Sequence, residues 1–155
     1  MTSLCCDVIK TLKQKGRTLA TAESCTGGGI GAALTSVSGS SAVYKGGIIS
    51  YTNWVKENLL SVPEDVLDTF GAVSAPVAEA MAKGAREALK ADIAVSVTGL
   101  AGPGGDAYGN PVGTVYIGYS DEYVTFSRHF LFSGSREDVR SQAIQAALDI
   151  ILEQN

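Results

Sequence analysis

The side chains in this sequence best suited to chemistry are a serine in a turn and a lysine that follows later in the chain. Ser24 lies in the stretch Thr21-Ala22-Glu23-Ser24-Cys25-Thr26-Gly27-Gly28-Gly29, which ends a short apolar run and opens an Ala/Gly-rich segment typical of a helix. A serine at a strand-to-helix turn presents its hydroxyl at the edge of a sheet, beside helix N–H groups that have no partner within the helix. Ser24 is therefore placed like a nucleophile for acyl transfer.

Acyl transfer also needs donors for the oxyanion that forms on the attacked carbonyl. The backbone amides of Cys25, Thr26, Gly27 and Gly28 are the candidates, and the loss of one such donor typically raises the barrier by about 3 to 4 kcal/mol. The glycines let the backbone approach a substrate because they carry no Cβ. The alternative is that Ser24 only caps a helix, and the local sequence leaves both interpretations open.

The lysine belongs to a second candidate pair, Tyr51 and Lys56. Tyr51 ends a predicted buried strand over residues 43–51, and Lys56 lies about one turn into the helix that follows. Ligands bind where the carboxyl ends of neighbouring strands meet, so Ser24 and Tyr51 can face one crevice. A lysine in a partly dry site has a lowered pKa and can act as a general base. A solvated Lys56 beside a half-buried Tyr51 is the plainer alternative.

Further polar groups follow other predicted elements. The strand predicted over residues 93–98 ends at Thr98 and runs into a glycine-rich stretch, in which Gly99 and Gly102 permit amide contacts with a phosphate or carbonyl. The loop around Ser40 is rich in hydroxyls and either contacts a phosphate or is an ordinary loop. Neither GxxxxGK[ST] nor GxGxxG occurs, so no ATP or dinucleotide motif is present.

Three other residue types have competing interpretations. Cys25 is a rival nucleophile to Ser24, although neighbours in an extended chain point to opposite sides, which favours packing. His129 is the single histidine and lies in the middle of a predicted strand, which disfavours a Ser-His triad. Arg136 and Arg140 share one face of the last helix and either clamp an anion or are solvated.

The order of predicted elements indicates an α/β fold in one domain, residues 1–155. Predicted helices and strands alternate up to residue 98, whereas residues 112–120 and 123–132 form a hairpin, so the sheet is mixed. Hydrophobic residues make up 45% and charged residues 18% of the chain, as in ordinary globular proteins. The net charge of −4 argues against nucleic acid as a partner.

No apolar run approaches the roughly 18 residues that cross a bilayer, and the N-terminus lacks a signal-peptide core, so we expect a cytoplasmic protein without membrane contact. Three cysteines without a CxxC pair, and one histidine, predict no metal site.

The ordered combination of motifs resembles the nicotinamide-nucleotide amidohydrolases, the NMN deamidase family, which also occurs as the C-terminal domain of the competence-associated protein CinA. The motifs are Thr21-Ala22-Glu23-Ser24-Cys25-Thr26-Gly27-Gly28, Gly39-Ser40-Ser41, Ser50-Tyr51-Thr52-Asn53 with Lys56, Gly71-Ala72-Val73-Ser74, Thr98-Gly99-Leu100-Ala101-Gly102-Pro103 and Pro111-Val112-Gly113-Thr114-Val115. The resemblance covers almost the whole chain, from about Leu12 to the last helix. Without the preceding domain of full-length CinA, the chain is expected to be a stand-alone form.

The resemblance implies a hydrolase without metal or cofactor that converts nicotinamide mononucleotide and water to nicotinate mononucleotide and ammonia, in pyridine-nucleotide recycling. It implies a three-layer α/β/α sandwich on a mixed, mostly parallel sheet, and a homodimer. The family's nucleophile falls on Ser24, its base on Lys56 and its assisting tyrosine on Tyr51. Its motif threonine falls on Thr98, and its arginine on Arg140, with Arg136 as the alternative.

Two further functions stay open at this stage: a nucleotide-binding module without chemistry, and a hydrolase of another small amide. The substrate phosphate is expected near Arg140 and the Ser40 loop. Candidates for contact with the pyridine ring are Tyr44, Trp54 and Tyr108. Residue 27 is Gly, so the SxxK pattern of β-lactamase-like enzymes is absent, and the lysine must come from another element.

Overall fold

A computed structural model describes all 155 residues and contains six α-helices and a five-stranded sheet. The helices are α1 (Thr2–Lys15), α2 (Gly29–Thr35), α3 (Asn53–Leu60), α4 (Glu64–Phe70), α5 (Ala75–Ala88) and α6 (Arg136–Gln154). The strands are β1 (Leu19–Glu23), β2 (Tyr44–Ile49), β3 (Ile93–Gly99), β4 (Thr114–Ser120) and β5 (Thr125–Leu131). No helix combines the length and the apolar character needed to cross a membrane.

The sheet has the order β2-β1-β3-β4-β5. β1 pairs in parallel with both β2 and β3, and the pairings of β3 with β4 and of β4 with β5 are antiparallel. The predicted hairpin and mixed sheet are therefore confirmed. Because β1, β2 and β3 run the same way, their carboxyl ends open at one edge of the sheet, where a ligand site is expected.

Helices cover both faces of the sheet, which confirms the three-layer α/β/α sandwich. On one face α1, α2 and α6 pack on large side chains such as Leu19, Val95 and Ile117. On the other face α5 lies over the small residues Ala20 and Ala94, with α3 and α4 outside it. The small strand residues bring α5, and with it α3, close to the carboxyl end of β1.

Local sequence signals explain where several helices begin and end. Thr52 caps α3 through its hydroxyl, which accepts the Val55 amide at 3.5 Å, and Ser135 and Asp138 form the capping box of α6. Gly16 ends α1 in the left-handed conformation. These helix boundaries therefore follow from residue types that favour caps.

The prediction that residues 43–51 form a buried strand is wrong in its burial. β2 is an edge strand in which exposed and half-buried residues alternate, and Ile49 is 56% exposed. An edge strand pairs on one side only, and an apolar run in the sequence does not show which strand takes that position.

Candidate active site

Ser24 follows the last residue of β1, at the edge where the parallel strands end. Its amide donates to the Val97 carbonyl of β3 at 2.9 Å, and the side chain is 8% exposed. The hydroxyl opens into a cleft of about 500 Å³. The cleft is lined by Ser24, Cys25, Tyr51, Asn53, Lys56, Ala72, Val73, Thr98, Gly99, Leu100, Ala101, Gly102, Pro103, Gly104 and Arg136. No acidic side chain lines it, so its charged groups are a lysine and an arginine.

Lys56 reaches the Ser24 hydroxyl from the first turns of α3. Its Nζ lies 3.1 Å from Ser24 Oγ and donates to the Ser50 carbonyl oxygen at 2.7 Å. The residue is 1% exposed. The Lys56 amine is thus held between the Ser24 hydroxyl and the Ser50 carbonyl. The fold brings together Ser24 and Lys56, the two residues that the sequence selected for chemistry.

Burial lowers the pKa of Lys56 from 10.5 to about 8, because removal from water penalises the charged ammonium. The hydrogen-bond partners of the amine are neutral, and neither restores the charge. A substantial fraction of the amine is therefore neutral near pH 8. A neutral amine that donates to Ser50 can accept the proton of Ser24 with its lone pair.

Tyr51, the expected assisting tyrosine, does not lie between Lys56 and Ser24 in the structure. Lys56 contacts Ser24 directly, whereas the Tyr51 hydroxyl accepts a hydrogen bond from Arg136 Nη2 at 3.3 Å. Tyr51 is 61% exposed and forms part of the cleft wall. It is placed to contact a ligand rather than to pass a proton between the two residues.

The turn after Ser24 differs from the expected row of four free amides. The Gly27 amide donates to the Ser24 carbonyl at 3.0 Å, and neither Gly27 nor Gly28 lines the cleft. The Thr26 side chain is fully buried and donates to a Glu23 carboxylate oxygen at 2.8 Å. The amides of Cys25 and Thr26 donate no hydrogen bond within the chain. Thr26 is fully buried and, like Gly27 and Gly28, does not line the cleft, so the expected donor set is reduced to the Cys25 amide.

Cys25 is not placed as a rival nucleophile. Burial raises the pKa of its thiol to about 11, so the reactive thiolate is scarce at neutral pH. The residue packs in the core beside α2 and α6. The interpretation of Cys25 as a packing residue agrees with this environment.

The two arginines of α6 have different surroundings, and the structure corrects the expected assignment of Arg140 to the substrate phosphate. Arg140 donates to the carbonyls of Cys25 at 3.0 Å and Thr26 at 3.2 Å, and it does not line the cleft. Arg136 lines the cleft and donates to the Gly102 carbonyl at 2.7 Å. Arg140 therefore supports the turn after Ser24, whereas Arg136 faces the ligand space.

The third strand end forms the opposite wall of the cleft. Thr98 is buried and donates to the Ala72 carbonyl at 2.8 Å, which ties β3 to the segment before α5. Gly99 and Gly102 both line the cleft. A Cβ on Gly99 would lie 2.6 Å from a Val115 methyl group, so a side chain is not tolerated there.

Several sequence candidates lie outside the cleft. Ser40 begins a 3-10 helix before the amino end of β2, whereas Ser24 follows the carboxyl end of β1, so Ser40 does not reach this cleft within one chain. Tyr44, Trp54 and Tyr108, the aromatic candidates for the pyridine ring, do not line it. His129 lies in the middle of β5, where its ring packs at a tilt against Tyr116 with the ring centroids 4.9 Å apart.

Two residues that hold the site were missed by the sequence interpretation. The backbone carbonyl of Ser50 accepts from Lys56, and no sequence signal distinguishes a carbonyl that will have this role. Glu23 carries a buried carboxylate beside the nucleophile. An acidic residue at the end of an otherwise apolar strand is a usable signal, because buried carboxylates need partners.

The whole chain, residues 1–155, matches the model of the CinA C-terminal domain. The chain belongs to the CinA C-terminal domain family. A CinA-like protein of Desulfotalea psychrophila is 49% identical over 142 residues, which are 92% of this chain and 34% of that protein. A putative competence-damage inducible protein of Caldanaerobacter subterraneus is 42% identical over 93% of this chain and 35% of that protein. This CinA-type domain thus spans about a third of the curated relatives' length.

Solved structures carry the same fold. The crystal structure of a competence damage-inducible protein A from Klebsiella pneumoniae has a TM-score of 0.96 at 35% identity, covering 98% of this chain and 94% of that one. A competence/damage inducible protein from Agrobacterium tumefaciens has a TM-score of 0.94 at 38% identity, covering 98% and 93%. Each of these likenesses extends over 98% of this chain.

The lowered pKa of Lys56 predicts a pH-dependent stability. Between about pH 8 and 10.5 the unfolded chain binds the Lys56 proton and the folded chain does not, so stability rises with pH across this window. In Lys56→Met the titrating group is gone. The unfolding free energy of the wild type minus that of the variant should therefore increase by about 2 to 3 kcal/mol between pH 7 and pH 10.

Urea unfolding of both proteins at each pH measures this difference, and the comparison cancels the titration of all other groups. A difference that stays constant over the whole range would show that the Lys56 amine is not desolvated.

Proposed function

We propose that this domain is an amidohydrolase that converts nicotinamide mononucleotide and water to nicotinate mononucleotide and ammonia. The observation that carries the proposal is the buried Lys56 amine 3.1 Å from the Ser24 hydroxyl, at the base of a cleft. A serine beside a base of lowered pKa is the arrangement of an activated nucleophile. The motif resemblance to the NMN deamidases supports the choice of substrate.

The first half-reaction forms an acyl-enzyme. Neutral Lys56 takes the Ser24 proton as Ser24 Oγ attacks the carboxamide carbon and the carbonyl oxygen becomes an oxyanion. The amide of Cys25, which lines the cleft and has no acceptor in the chain, stabilises this charge. The C–N bond then breaks, and the Lys56 ammonium returns the proton to the departing nitrogen, which leaves as ammonia.

The second half-reaction reverses these roles. Lys56, again neutral, takes a proton from a water molecule whose oxygen attacks the ester carbonyl. The ester bond to Ser24 Oγ breaks, and the proton held by Lys56 restores the serine hydroxyl. The product is a carboxylic acid, which ionises at neutral pH.

The charges in the cleft favour an anionic substrate. Lys56 lies at the reacting end and Arg136 at the Tyr51 wall, and no carboxylate opposes them. A guanidinium binds phosphate in a bidentate manner, and here it is the one cation besides the base. Arg136, rather than Arg140, is therefore the proposed phosphate ligand.

The proposed reaction predicts ammonia release from nicotinamide mononucleotide, and Ser24→Ala should lower the rate by at least about 1,000-fold because the nucleophile is gone. An enzyme-coupled ammonia assay over a panel of nicotinamide mononucleotide, nicotinamide, glutamine and asparagine measures this. Faster ammonia release from another amide of the panel would identify that amide, instead of nicotinamide mononucleotide, as the substrate. Mass spectrometry after incubation with a fluorophosphonate shows whether Ser24 is labelled. An unlabelled Ser24 would favour a nucleotide-binding module without chemistry.

The lowered pKa of Lys56 predicts the pH dependence of turnover. Only the neutral amine is a base, so kcat/KM should rise with pH to a plateau, with a midpoint near pH 8. Lys56→Ala should lose about 100- to 10,000-fold in kcat and lose this limb of the profile. Stopped assays from pH 6 to 9.5 test both points. A flat wild-type profile, or near-normal turnover of the variant, would remove Lys56 from the mechanism.

The environments of the two arginines predict different kinetic effects. Arg136→Gln should raise KM for nicotinamide mononucleotide about tenfold or more, with little effect on nicotinamide riboside, because the riboside lacks the phosphate. Arg140→Gln is the matched variant in the same helix and should lower kcat for both substrates, because it loosens the turn after Ser24. Equal KM effects of Arg136→Gln on both substrates would contradict the phosphate assignment.

A further inference from the structure

Glu23, the residue before the nucleophile, carries a buried carboxylate that has no part in the proton transfers described above. It is 2% exposed. Its Oε1 accepts the Thr26 hydroxyl at 2.8 Å and the Ile30 amide at 2.8 Å, and its Oε2 accepts the Gly31 amide at 3.0 Å and the Thr21 hydroxyl at 3.2 Å. The carboxylate therefore joins β1, the turn after Ser24 and the first turn of α2.

The four partners all donate, so Glu23 acts as an acceptor-only carboxylate. The Ile30 and Gly31 amides can do nothing else. Thr21 donates to Glu23 and is free to accept from Tyr44, whose hydroxyl lies 2.7 Å away. A negative charge at the start of a helix is also favourable because of the helix dipole.

We propose that Glu23 is a positioning residue for acyl transfer. Its carboxylate fixes the Cys25–Thr26 turn against α2, so that the Ser24 hydroxyl stays against Lys56 and the Cys25 amide stays free for the oxyanion. This inference rests on the proposed role of Ser24 as a nucleophile.

The same carboxylate holds the residue that follows the candidate donor. Without it, the Thr26 hydroxyl and the Ile30 and Gly31 amides at the start of α2 would lose their acceptor. Cys25 lines the cleft, and its amide has no acceptor within the chain. A clamp on Thr26 thus restrains the turn that carries the donor on which the oxyanion depends.

The backbone of Glu23 is linked to the base as well. Its carbonyl accepts the Ser50 amide at 2.8 Å, and the Ser50 carbonyl accepts the Lys56 amine at 2.7 Å. Glu23 therefore contacts the supports of both reacting groups. Its side chain holds the turn after Ser24, and its backbone carbonyl holds Ser50, which accepts from Lys56.

The test compares Glu23→Ala, Glu23→Gln and Thr26→Val. The rate of Ser24 labelling by a fluorophosphonate gives kinact and KI without reference to any natural substrate. Misplacement of a reacting group by about 1 Å costs about 100-fold, so kinact should fall by about that factor in Glu23→Ala, with KI nearly unchanged. Glu23→Gln keeps one acceptor oxygen and should retain more activity than the alanine variant. Thr26→Val removes a single bond and should show a smaller loss.

Asp92→Asn is the matched control. Asp92 is also a carboxylate that clamps β1, at the opposite end, where it accepts the Thr18 amide at 2.8 Å and the Thr18 hydroxyl at 3.0 Å. All rates are measured well below each variant's melting temperature, and Asp92→Asn should label within about twofold of the wild type, since it lies far from the nucleophile.

The outcomes separate the two proposals. Wild-type labelling without ammonia release from nicotinamide mononucleotide would reject the substrate and leave the Glu23 comparison valid. If the wild type shows no labelling of Ser24 and also releases no ammonia, both proposals are rejected. A folded Glu23→Ala with wild-type kinact would overturn the positioning role, as would an Asp92→Asn loss equal to that of Glu23→Gln. Should Glu23→Ala fail to fold, wild-type kinact in both Glu23→Gln and Thr26→Val would overturn it.

Discussion

The site depends on the burial of one amine. Water is excluded from Lys56 because α3 begins directly beside the sheet edge and packs against α5, which itself lies close to the sheet over small strand residues. Burial disfavours the ammonium form and leaves an amine that can accept a proton near neutral pH. An exposed lysine at the same distance from Ser24 would stay charged and could not act as a base. The packing of α3 is thus a requirement of the chemistry as well as of the fold.

The amine is useful only because its surroundings are neutral and rigid. A carboxylate beside Lys56 would restore its charge, and none lines the cleft. The Ser50 carbonyl holds one N–H at 2.7 Å, which directs the lone pair toward Ser24. The acidic residue next to the nucleophile, Glu23, points its carboxylate into α2 instead. The Glu23 carboxylate therefore binds the backbone at the start of α2 and does not contact the Lys56 amine.

The two arginines of α6 illustrate how neighbouring residues of one type acquire different tasks. Both lie near the turn after Ser24, one helical turn apart. Arg140 is half-buried against two backbone carbonyls and stabilises the turn, whereas Arg136 is exposed and faces the cleft together with Tyr51. Arg136 is the first residue of α6, directly after the Ser135 cap, whereas Arg140 lies one turn further into the helix.

The sequence by itself determined the α/β class, the order and most boundaries of the elements, and the candidates Ser24 and Lys56, because strand ends, caps and apolar runs are local signals. Only the tertiary structure decided the edge position of β2, the distance between serine and lysine, the different surroundings of Arg136 and Arg140, and the exclusion of Ser40 from the cleft. These depend on which strands pair and on what each side chain meets across the fold. Contacts between residues far apart in the chain leave no local pattern in the sequence, so they had to be read from the folded chain.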